Sequence, residues 1–189
     1  MSLNAGPRTA LRHAAYVFAV AIALAYLEVQ IEGAHGWATS LPTWRTTDPR
    51  VTSIFGGRPV TGYHVALNVL LLLLLHWPIL FTRWSLLVEA RVLSSYALLA
   101  VIWDFLWFVL NPNFGLELYS REHVWWFKRW FLGVPVDYYV GCLNALLLWL
   151  SPALFRRVRF RTPLLGGIVF VSVGLGLVGL FTLLWTALT

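Results

Sequence analysis

The chain has 189 residues, of which 59% are hydrophobic, 16% aromatic and only 12% charged, whereas soluble domains run at about 45–50% apolar and about 25% charged. A mean hydropathy of +0.73 and apolar runs too long for a globular core exclude a soluble domain, a disordered chain and collagen, and the single Cys142 excludes a disulfide scaffold. The formal charge is +6 and the pI near 10.0, but the cations sit mostly between apolar runs and form no clustered face, so nucleic acid is not an expected partner.

Five runs meet the requirement of ~20 apolar residues for a transmembrane helix: 11–31, 61–81, 84–110, 136–155 and 163–188. The expected fold is an all-α integral membrane protein, one bundle of about five transmembrane helices with an amphipathic helix lying at its outer surface. The first run resembles a secretory signal in its Arg8 and Arg12 flank and its Ala23-Leu24-Ala25 segment, but it continues through Tyr26 and Leu27, which favours a retained span. Pro78 should kink the second run near His76. Asn111-Pro112 should stop the third, because a residue before proline avoids the α region. Pro135 and Pro163 suit helix starts, where a missing N–H costs nothing.

In the connection 111–135, helical spacing groups Val124, Phe127, Trp130 and Phe131, with Trp126 at the edge and Lys128 and Arg129 elsewhere. That pattern predicts a helix lying in the membrane interface, as an anchor or as a lid over a lipid access site. In the last run, Ser172, Gly176 and Gly179 form a small-residue seam suited to close helix contact, including contact with another membrane subunit. Cys142 lies in an apolar span and reads as inert packing.

Ionisable residues within spans are costly and usually face a partner or a cavity. Glu28, Glu32 and His35 are spaced by four and three, so a continuous helix would place them on one face. Glu32 to His35 also has the Glu-x-x-His spacing of helix-borne metal ligands, although Gly33 and Gly36 favour a helix end there. His64 lies 19 residues before Arg83 and Asp104 21 after it, so both are ~30 Å from that turn at ~1.5 Å per residue. Glu28, Glu32, His64 and Asp104 therefore share an outer level, with Asn68, Asp137 and Tyr138 as supporting groups. Three readings stay open: a hydrated helix-end network that includes Arg45, a divalent metal site (Fe, Mn or Zn), and a substrate-headgroup site. His76 and Glu89 lie 7 and 6 residues from Arg83 and form an inner pair, either a structural hydrogen bond or a proton relay.

The segments from Glu32 to Ala38, Leu41 to Arg45, Thr61 to His64 and Asp104 to Pro112 resemble a family of small bacterial multispan membrane proteins to which no activity is attached. The resemblance implies an acid at position 103 and a histidine at 127, where this chain has Trp103 and Phe127. Two functions fit these residues: a metal-dependent enzyme, hydrolytic or oxidative, acting on a membrane lipid, and a non-catalytic subunit of a larger membrane complex. Glycine loops for phosphate, a Gly-x-Ser-x-Gly elbow and a His-rich box are absent from the sequence.

Arg8, Arg12, Arg83, Arg156, Arg157, Arg159 and Arg161 flank the short connections, which predicts a cytoplasmic N-terminus in the inner membrane and outer placement of 33–60 and 111–135. With Cys142 removed, single cysteines at Thr47 and Ser120 should react with an impermeant reagent from the outer side. Reaction from the cytoplasmic side alone would reverse this orientation.

Overall fold

The computed structural model describes residues 6–55, 57–81, 83–155 and 161–189. All five apolar runs are helical: α1 (Pro7–Glu32), α3 (Gly62–His76), α4 (Leu86–Leu110), α5 (Val136–Phe155) and α6 (Arg161–Leu188). A one-turn helix, α2 (Pro49–Thr52), lies in the first long connection. Among the described residues, four helices are long and apolar enough to cross a membrane: α1, α4, α6, and α3 with its extension to Phe81. That composition fits a multispan membrane protein. Arg156, Arg157 and Arg159, which enter the orientation argument, lie outside the described residues.

Helix ends follow from local chemistry. Pro7 occupies the first turn of α1, and Gly33 closes it with φ +59°, a left-handed conformation that suits glycine. Thr61 caps α3 by accepting from the His64 N–H, and Ser85 caps α4 by accepting from that of Val88. Near Pro78 the α-helix gives way after His76 to a 3₁₀ stretch, Trp77–Phe81, because proline cannot donate the next backbone bond.

The core centres on α4, which packs against α1 and α5, while α6 closes the bundle across α1, α5 and α4. In α4, 67% of the most apolar window is buried, against 17% in α3, which leans on α4 and leaves its other faces open. The last helix packs through Gly167 and Gly174: a Cβ at Gly167 would meet Leu146 and Trp149, and one at Gly174 would meet Leu98 and Ile102. The predicted seam lies elsewhere. Ser172, Gly176 and Gly179 are exposed, and no group approaches within 4 Å of a Cβ built on either glycine.

The predicted interfacial helix is absent. Residues 121–129 run through turns and extended chain into a hairpin, β3 (Trp130–Phe131) paired with β4 (Val134–Pro135). Leu132 and Gly133 both have positive φ, +47° and +75°, as the tightest hairpin turns require. Two competing interactions explain the correction. Val124, Trp126 and Phe127 are buried, with Trp126 stacked on Phe108 at 5.9 Å and meeting Trp107 and Phe114 edge-on. The Trp126 carbonyl, which a helix would use internally, accepts instead from Arg58 Nε at 2.6 Å.

Gly174→Val should therefore destabilise the protein in detergent by ~1–3 kcal/mol through overpacking, and Gly176→Val should leave its melting curve in place.

Candidate functional site

At the end of the bundle where α1 stops and α3 begins, Glu28, Glu32 and His64 each offer a ligand atom, and these atoms lie within 4.8 Å of one another. Both glutamates are buried, at 8% and 5% exposure. They line one wall of a cavity of about 600 Å³ shared with Asp104, Asn68, Asp137 and Tyr138.

Each carboxyl group is held from outside its own helix. Glu32 Oε1 accepts from the Ala38 N–H at 2.5 Å. That contact needs a tight reversal after α1, and Trp37 and Ala38 both adopt positive φ, +59° and +51°. Two consecutive non-glycine residues in this region are strained, and such strain collects at functional sites. Arg45 steadies the reversal by donating to the carbonyls of Ala38, Thr39 and Leu41 at 3.2–3.4 Å. Tyr63 donates its hydroxyl to Glu28 at 3.3 Å, and the buried Trp103 indole faces the same carboxyl group without closing a well-aligned hydrogen bond. Asn111, 1% exposed, donates to the Gly33 carbonyl at 2.8 Å and so ties the end of α4 to the end of α1.

The imidazole of His64 is equally fixed. Strands β1 (Arg45–Thr46) and β2 (Val60–Thr61) pair antiparallel, with Arg45 opposite Thr61. They deliver Thr61 to the start of α3, where its hydroxyl lies 2.7 Å from His64 Nδ1. Trp37 lies across the ring at 4.3 Å. With Nδ1 engaged by Thr61, Nε2 is the nitrogen available to a ligand.

Arg58 roofs the cavity. Its guanidinium lies over Trp37 at 5.0 Å and Phe127 at 4.7 Å, and it forms an ion pair with Asp137. Below it, Asp104 accepts a hydrogen bond from Tyr138, and Asn68 donates to the His64 carbonyl at 2.7 Å while accepting from Tyr96. In the outer connection, burial holds the Tyr119 phenol above its usual range, and the nearby Asp104 carboxyl acts in the same direction.

The predicted group thus meets in part. Glu28, Glu32 and His64 come together, and Asp104, Asn68, Asp137 and Tyr138 line the same cavity. His35 does not join: α1 ends at Glu32, and His35 is exposed in the turn beyond Gly33. Arg45 binds backbone carbonyls, and the nearby cation is Arg58, which no spacing in the sequence singles out. Trp103 and Phe127, the positions where an acid and a histidine are implied by the resemblance, both line the cavity. At the inner end, His76 Nε2 lies 3.0 Å from Glu89 Oε1, and Trp84 donates to the other oxygen at 3.2 Å. Nearby Arg91 turns inward, donating to the Trp149 carbonyl at 2.8 Å from above its ring.

No protein-family model, curated protein or solved structure matches this chain.

Asn111→Ala would remove the donor that ties the Gly33 carbonyl to α4, and a loss of ~1–3 kcal/mol is expected, read as a lower melting temperature than that of the exposed control Glu122→Ala.

Proposed function

We propose that this chain is a five-span protein of the inner membrane, N-terminus cytoplasmic, that binds one divalent cation at Glu28, Glu32 and His64 and acts with it on a lipid at the outer leaflet. The carrying observation is the approach of three ligand atoms within 4.8 Å at the polar end of a cavity. Anionic carboxylates buried there are costly without a positive partner, and Arg58 is already paired with Asp137. Two carboxylates and an imidazole suit Fe, Mn or Zn, since the donors mix hard oxygen with borderline nitrogen. Such a cation supplies Lewis-acid polarisation of a substrate oxygen or activation of a bound water.

The chain's own residues then have definable parts. Thr61 holds the His64 ring through Nδ1, the Ala38 amide and the Tyr63 hydroxyl orient the two glutamates, and Asp104 with Tyr138 offers a proton-transfer pair facing the cavity. Membrane lipid is the substrate phase. A second reading, an accessory subunit of a membrane complex, is favoured by the open face of Ser172, Gly176 and Gly179, which no helix of this chain covers among the described residues.

Protein purified anaerobically with iron, manganese and zinc supplied should carry close to stoichiometric metal. His64→Ala should abolish it, Thr61→Val should weaken binding by ~10–100-fold through loss of the supporting hydrogen bond, and Cys142→Ala should have no effect. A metal-free parent protein would end the metal reading.

A further inference from the structure

Below its polar end the cavity continues as a groove, walled by Leu93, Ala97 and Ala100 of α4 and by Val140, Gly141 and Leu148 of α5. Leu93 and Leu148 lie 11 residues inward of Asp104 and Asp137 respectively, so the groove is ~16 Å long at ~1.5 Å per residue. One leaflet of a ~30 Å hydrocarbon core has that depth. Because α3 does not pack along α5, the groove is open at its side. Val140 remains 50% exposed and Leu93 37% exposed, on a surface where a membrane span meets lipid.

Two features restrict what enters. Glu28, Glu32, Asp104 and Asp137 line the polar end against the single guanidinium of Arg58. With all four ionised, Arg58 and a divalent cation together still leave that end net negative, so an anionic head is disfavoured and a neutral oxygen ligand is accepted. Asn144 stands midway along the groove wall, exposed, and its amide has no hydrogen-bond partner among the described residues. An unpaired amide facing hydrocarbon is costly, and an oxygen part-way along the occupant, such as the ester of an acylglycerol, would satisfy it.

We propose that this groove takes one hydrocarbon chain of an uncharged, oxygen-bearing lipid, entering between α3 and α5, with its polar end against Glu28, Glu32 and His64. The assignment rests on the metal reading for what happens at that end, and on groove geometry for where the chain lies.

The test uses the full chain in phosphatidylcholine vesicles with three photoreactive probes of one chain length: a monoacylglycerol, a fatty alcohol and an alkyl phosphate. Crosslinks are mapped by mass spectrometry, and metal is measured in the same samples. Neutral probes should mark the groove residues of α4 and α5, with the alkyl phosphate about tenfold weaker for its charge. Ala97→Phe, which fills the groove, should lower neutral labelling about tenfold, and Asn144→Leu, on a lipid-exposed position, should lower monoacylglycerol labelling about fivefold. Stronger labelling by the monoacylglycerol than by the alcohol assigns the Asn144 contact to an ester, and equal labelling places the occupant's only bound oxygen at the polar end; both support the proposal. Labelling that is as strong on the lipid face of α6, equal for the alkyl phosphate, or unchanged in both variants overturns it. Metal absent with groove labelling intact removes the metal reading and leaves the groove. Metal bound with indiscriminate labelling removes the groove alone.

Discussion

Two carboxyl groups one helical turn apart, at the buried end of an apolar helix, set the terms for the half of the molecule around them. Glu28 and Glu32 are almost fully removed from solvent, and the interior offers little dielectric screening. The surrounding loops respond to that demand. The strained turn at Trp37 and Ala38 directs an amide to Glu32, and Arg45 holds the turn by three carbonyls. Asn111 ties the end of α1 to the end of α4. Gly36 has no side chain because the Trp126 ring occupies the space where a Cβ would stand. Together these contacts fix where the Glu32 carboxyl and the end of α1 stand.

The bundle is asymmetric, and the cavity follows from the asymmetry. Close packing of α1, α4, α5 and α6 leaves α3 at the margin, with Leu67, Leu71 and Leu75 buried along one face and His76 bonded to Glu89 of α4. His64 sits in its first turn. Its position is set by the 45–61 strand pair, the Thr61 hydroxyl and the Trp37 ring, all in the connection 33–61. A ligand group is thereby fixed by that connection, on a helix that buries little of its own surface.

The helices were legible because span length and end chemistry are local. An apolar run of ~20 residues has few alternatives in a membrane, and Asn111 with Pro112, Pro135 and Pro163 mark ends by mechanisms that work one turn at a time. Depth was legible too, since a constant rise puts His64 and Asp104 at one level. Rotation and loop path were not. Spacing at 124–131 suits a helix as well as a buried turn, and the outcome depends on Phe108, Phe114 and Arg58, which are remote in sequence. Arg45 and Arg58 sit in the same connection with equal claim to the acids, and only the fold of that loop separates them. Likewise Ser172, Gly176 and Gly179 have the same small-residue spacing whether a helix covers them or not, while Gly167 and Gly174 carry the contact.

The small buried fraction of α3 leaves most of its surface to lipid. Its ties fall at both ends, the Thr61 cap with the strand pair at one and His76 bonded to Glu89 of α4 at the other. A span tied at both ends answers a change in membrane thickness by tilting with its partner helix, at a cost of only fractions of a kcal/mol per Å. Because α4 is itself packed along α1, such a tilt carries His64 and the two glutamates together and preserves their spacing.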